Sequence, residues 1–163
     1  MPQRRLLTIG VYGFDEEAFY AALVGGGAAC LIDIRRRRGV RGPRYAFANA
    51  QRLQAGLAEH GIAYRHALAL AAPAELIAQE GEADRRAGRA RHERTHLSPE
   101  FVASFQEVLA GPEAQAALAE IAPAERPPAL LCVEAVPGAC HRSLVADALA
   151  QTHPDASVVH LTP

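Results

Sequence analysis

Cys140, His141 and Arg142 stand in a row, and each can contribute a different piece of polar chemistry. They follow the turn Pro137-Gly138 and open a segment whose apolar residues Leu144, Val145, Ala148 and Leu149 predict a helix. The free N–H groups and positive dipole end of a helix start favour an anion. A cysteine in that field is stabilised as thiolate and becomes nucleophilic. An arginine there can clamp a phosphate or carboxylate through two hydrogen bonds. His141 could move protons, but adjacent helix residues do not face one another, so it need not be the base for Cys140. The plain alternative is a small buried thiol, a capping histidine and a surface arginine.

Glu134 lies just past the apolar run Ala129 to Val133. It could be a general acid or base with a raised pKa, or it could pair with Arg35 or Arg142 and hold the loop. Asp33 and Arg35, two apart at the end of another apolar run, share a face and could bind an anion or pair with each other. Tyr12 follows the first predicted strand, and His66 ends the third. The stretch from Arg35 to Tyr45 holds six arginines and no acid. It reads as a basic loop able to follow a phosphate-rich ligand or a nucleic-acid backbone, or as solvated coil. The stretch from Arg85 to Arg94, with His92 and His96, reads as a solvated helix or else as a lid. The catalytic candidates are therefore Cys140, His141 and Glu134. The substrate-binding candidates are Tyr12, Asp33, Arg35, Arg44, Tyr45, His66 and Arg142.

Several familiar assignments do not fit. The spacing of cysteines and arginines gives no Cys-x5-Arg phosphatase loop, and Gly10-x-x-Gly13 is only a fragment of a dinucleotide fingerprint. Cys132, Cys140 and His141 could offer zinc two thiolates and an imidazole, but their spacing matches no standard site. Neither a metal nor a cofactor is expected, and Cys132 and Cys30 read as core residues.

These residues are predicted to be delivered by alternating strands and helices. The order is βαβαβ, a helical insert between strands 3 and 4, then βαβ. Near-continuous apolar strands argue for an α/β fold of three layers, with a mostly parallel five-stranded sheet and helices on both faces. Asp15 starts the first helix, Asn49 is a plausible N-cap of the second, and Ser98-Pro99 opens another whose Phe101 and Phe105 share a face. Ligands of such sheets bind beyond the carboxyl ends of the strands, where these candidate residues fall, so one pocket is expected there.

Composition narrows the function classes. All 17 basic residues are arginine, which excludes a lysine Schiff base, a lysine general base and the lysine-bearing phosphate loop. Residues 1 to 97 carry 15 arginines against 10 acids, whereas residues 98 to 163 carry 2 against 8, so anion-binding capacity lies in the first part. Three cysteines make no secreted disulfide framework. No apolar run spans a bilayer, and the sequence reads as one cytoplasmic domain over residues 1 to 163.

The chain also resembles a bacterial family, domain-of-unknown-function family 488 (DUF488). The resemblance rests on Thr8-Ile9-Gly10, Leu31-Ile32-Asp33-Ile34-Arg35, Gly61 to His66, and Leu130-Leu131-Cys132-Val133-Glu134 through Cys140-His141-Arg142. Gly39-Val40-Arg41-Gly42 and Tyr45-Ala46-Phe47-Ala48-Asn49 resemble an arginine-rich subfamily. It implies a shared site at Asp33, Arg35, Glu134, Cys140, His141 and Arg142, but no activity. The expectation is an enzyme on a small or nucleotide-like anionic substrate, a cysteine-dependent transferase or hydrolase. The alternative is a noncatalytic nucleotide- or nucleic-acid-binding module.

Overall fold

The computed structural model describes residues 2–163. Five strands, β1 (Arg5–Gly10), β2 (Cys30–Asp33), β3 (Ala63–His66), β4 (Pro128–Cys132) and β5 (Ser157–Leu161), form one sheet in the order β3-β2-β4-β1-β5. Every pairing is parallel. All five carboxyl ends therefore lie along one edge.

Side chains alternate across a strand, and the two faces bury different helices. Leu6, Ile32, Leu130 and Cys132 face α4 (Pro99–Ala110), α5 (Pro112–Ala119) and α6 (Arg142–Thr152). Leu7, Ile9, Leu31 and Leu131 face α1 (Glu16–Gly25) and α2 (Ala50–Glu59). The insert between β3 and β4 contains α3 (Ala74–Arg86), α4 and α5. The expected three-layer α/β architecture is present, and no described helix is long and apolar enough to cross a membrane.

Local signals act as expected at two helix starts. The Asp15 carboxylate accepts from Ala18 N at 2.7 Å, and Ser98 Oγ accepts from Phe101 N at 3.2 Å. Phe101 and Phe105 stack with ring centroids 5.9 Å apart. Asn49 occupies the cap position of α2, but its side chain makes no capping bond. It turns back to accept from Val40 N at 2.7 Å, pinning the arginine loop instead. Cys30 is partly buried and packs against the core beside α4, α5 and α6.

The larger correction concerns the segment from Arg85 to Arg94. Helix α3 ends at Arg86, and Gly88 then takes φ +70°, a left-handed turn that favours glycine. Beyond that turn the chain forms an irregular strap rather than a solvated helix.

Candidate functional site

Strands β1 and β4 are neighbours, yet the chain leaves β1 for α1 on one face and β4 for α6 on the other. This is a switch point of an open parallel sheet, the position beyond the strand ends where such folds bind their ligands. The two strand ends touch closely: a Cβ on Gly10 would lie 1.9 Å from Glu134 O. Val11 N and Tyr12 N both donate to Val133 O, at 3.0 and 2.9 Å. Any side chain at position 10 would force these strand ends apart.

Three groups converge on the α6 side. His141 Nδ1 lies 3.6 Å from Cys132 Sγ and 3.9 Å from Cys140 Sγ. The other ring nitrogen, Nε2, is 3.0 Å from Ile34 O. A carbonyl can only accept, so Nε2 carries a proton; Nδ1 then accepts from a thiol while the ring is neutral and donates to a thiolate when the ring is charged. All three residues are buried. Burial opposes charge on Cys140, but hydrogen bonding with Cys132 and His141 and the charges of His141 and Arg142 prevail. They hold its thiol well below the ordinary range. The Cys140 partner and burial push Cys132 the other way, well above it. Of the two thiols, Cys140 is therefore the one more readily deprotonated. The three donor atoms lie within 4.8 Å of one another, so the set could also converge on a soft divalent cation.

Arg142 is fully buried. Its guanidinium donates to Glu134 O, to Ala135 O at 3.3 Å and to Thr8 Oγ1 at 3.4 Å. Thr8 Oγ1 also contacts His160 Nδ1 at 2.6 Å, and burial together with Arg142 lowers the proton affinity of His160. Among the described residues no carboxylate pairs with Arg142. A buried cation favours a compensating negative charge nearby, and Arg142 is one of the charges that lower the Cys140 thiol.

A family model described as Domain of unknown function DUF488 matches residues 15–149, from the start of the first crossover through most of α6. The chain belongs to the DUF488 family. No curated protein and no solved structure matches this DUF488 protein.

The other expected site residues fall elsewhere. Asp33 and Arg35 form a buried ion pair, with Arg35 Nε on Oδ1 at 2.9 Å and NH2 on Oδ2 at 2.8 Å. Tyr64 OH donates to the same carboxylate at 2.8 Å. Tyr64 packs with the α1/α2 layer, and Asp33 shares the parity of Leu31, so this pair sits on the opposite face from Cys140. His66 Nε2 contacts Arg35 O at 2.9 Å. Arg44 lies over the Tyr45 ring at 5.1 Å, and Tyr45 meets Tyr12 at 5.1 Å. The DUF488 edge is thus two clusters divided by the sheet rather than one.

Glu134 pairs with neither Arg35 nor Arg142. Its partner is Arg91, on the strap. Burial raises the Glu134 carboxyl pKa, and Arg91 opposes that rise. The strap is fastened through Asp84, which takes Arg89 Nε at 2.8 Å and Arg94 NH2 at 2.8 Å. Arg94 NH1 reaches on to Ala139 O at 3.1 Å, next to Cys140. Composition marks the strap only as basic, and no local pattern singles out Arg91 or Cys132. Two surface depressions, of about 360 and 750 Å³, lie at the amino ends of the strands and between α1 and α2. Neither contains Cys140 or Glu134.

Burial acts against charge on Asp84, but Arg94 and Arg89 outweigh it and lower its pKa. A depressed carboxyl stabilises the fold above its unfolded pKa and loses that contribution as pH falls through the folded value. Wild type is therefore expected to exceed Asp84→Asn in urea stability at neutral pH. The gap should close as pH drops below about 4, the ordinary Asp range. A gap unchanged between pH 7 and pH 3 would contradict the strap anchor.

Proposed function

We propose that this DUF488 protein is an enzyme acting on an anionic, phosphate- or nucleotide-containing substrate at the carboxyl ends of β1 and β4. Cys140 is the nucleophile. The observation carrying this reading is the buried Arg142 charge without a carboxylate partner, beside a thiol flanked by Cys132 and His141. Such an arrangement favours a thiolate at neutral pH, the form that attacks. Glu134 is the proton-transfer group: a buried carboxyl beside Arg91 whose pKa is raised by burial and by Cys140, and which acts from its neutral form. In the first step the Cys140 sulfur bonds to the substrate's electrophilic centre while the leaving group takes a proton from Glu134. Water or a second acceptor then breaks the sulfur bond and returns that proton, giving hydrolysis or transfer. Residues 1 to 163 act as one domain here, and a reducing cytoplasm would keep the three free cysteines as thiols.

Alkylation with iodoacetamide tests the nucleophile. At pH 6 to 7 the native protein should be modified at Cys140 before Cys30, whose thiol is raised by burial, and before Cys132. Between pH 8 and pH 6 the Cys140 rate should fall less than that of a free thiol with pKa about 8.5, which slows in proportion to its thiolate. Preferential labelling of Cys30 or Cys132 would sink the assignment. So would a protein whose Cys140 reacts only after a chelator strips a bound metal, because the thiol would then be a ligand.

A further inference from the structure

Arg91 differs from the chain's other cations in where it is held. Its Nε donates to the buried Glu134 carboxylate, and its side chain is still 53% exposed. Glu134 follows β4 and packs against Gly10 at the end of β1, so Arg91 stands beside the carboxyl ends of these two strands. A guanidinium held through Nε keeps its terminal NH1 and NH2 edge for a second partner. That edge matches two oxygens of one oxyanion.

The surroundings suit the same ligand. Residues 85 to 96 contain five arginines and two histidines against one acid, Glu93. Arg35 and Arg142, by contrast, are buried, and their guanidinium groups bond to Asp33 and to Glu134 O. Arg37, Arg41 and Arg44 are exposed, but they lie on the loop after β2 that Asn49 holds at Val40. Arg91 is a cation both open to solvent and directly bonded to the thiol cluster's neighbour Glu134. The Asp84 anchors at Arg89 and Arg94 bracket it on both sides. That bracketing fixes its position before any ligand arrives, which lowers the ordering cost of binding.

We propose that the NH1 and NH2 edge of Arg91 is the phosphate-binding group of this site, oriented by Glu134 and carried on the strap between Arg89 and Arg94. The assignment rests on the enzyme reading for its purpose, but not for its chemistry. Phosphate binding at Arg91 needs no reaction at Cys140. When the substrate's phosphate docks on this edge, the rest of the molecule is directed over Gly10 and Glu134, toward the buried sulfur.

Inorganic phosphate and sulfate, with chloride and acetate as comparators at matched ionic strength, provide the probe. Phosphate should raise the thermal midpoint of the native protein more than chloride or acetate, since a ligand of the folded state stabilises it by mass action. Arg91→Gln keeps a donor for Glu134 but loses the charged fork. It should weaken apparent phosphate affinity by about tenfold or more, the scale of a lost charge-assisted pair. Arg91→Lys, a point charge without the fork, should recover only part. The double variant Arg37→Ala/Arg41→Ala should bind as wild type does. Phosphate should also slow iodoacetamide at Cys140 in wild type and not in Arg91→Gln.

Three results would overturn the proposal: an unchanged phosphate response in Arg91→Gln, loss of that response in the loop variant instead, or equal stabilisation by acetate. Without phosphate, Arg91→Gln should still alkylate at Cys140. The nucleophile assignment and the anion assignment therefore fail separately.

Discussion

Arg142→Met is expected to lower unfolding stability by about 2–5 kcal/mol, the cost of stranding buried acceptors that lose a charged donor. Met approximates the length of the side chain, so the loss isolates polarity more than volume. Glu134 O and Thr8 Oγ1 would be left without this donor in a part of the fold where water does not reach. Arg142→Lys should restore little, because an ammonium cannot place donors at Glu134, Ala135 and Thr8 together. Urea unfolding measures the effect, and a change under about 1 kcal/mol would mean that the guanidinium contributes no more than an ordinary surface contact. The same variant carries a second readout. Arg142 is one of the charges that holds Cys140 low, so in a folded fraction of Arg142→Met the alkylation rate at pH 7 should fall. A slower Cys140 with retained fold would separate the charge effect from simple unfolding.

Asp33→Asn is expected to be comparably severe, at about 3–5 kcal/mol, because it removes one charge of a buried pair and leaves the other. The side chains of Asp33 and Arg35 are 0% and 1% exposed. Arg35 NH1 already has no hydrogen-bond partner among the described residues, so its guanidinium has no reserve when the carboxylate goes. The double variant Asp33→Leu/Arg35→Met should recover a large part of the loss, since two apolar groups of similar volume need no partner. A double variant less stable than Asp33→Asn would show that the pair's worth lies in Tyr64 and His66 rather than in charge. Because this pair lies across the sheet from Cys140, Asp33→Asn should leave the pH dependence of Cys140 alkylation unchanged in the protein that remains folded.

The candidate residues differ in how far their neighbours in sequence foretold them. Asp33 and Arg35 were legible as a pair because extended chain puts residues two apart on one face, and the structure joins them through two hydrogen bonds. Cys140, His141 and Arg142 were legible as a group but not in their individual placements. His141 turns Nδ1 toward two sulfurs, while Arg142 turns inward to backbone carbonyls instead of outward to a ligand. Cys132 read as core from its apolar strand and does occupy the core, yet it also shapes the state of Cys140 from eight residues away. Arg91 was hidden because nothing in its local pattern distinguishes it from Arg85, Arg86 or Arg89. Only the fold of the insert brings it to Glu134.

By itself the sequence determined the order of strands and helices, the parallel sheet and the edge where polar residues gather. Those follow from local rules: apolar runs of strand length, caps such as Ser98, and strand-helix alternation that forces crossovers. Tertiary structure decided which of the gathered residues share a space. Adjacent strands β2 and β4 send their chains to α2 and α6 on opposite faces, and one apparent cluster divides into Asp33-Arg35-Tyr64 and Cys132-Cys140-His141. It also decided the partner of Glu134, 43 positions away along the chain. Such pairings depend on how a long insert returns over the sheet, and the side-chain charges that make them favourable carry no information about distance until the chain has closed.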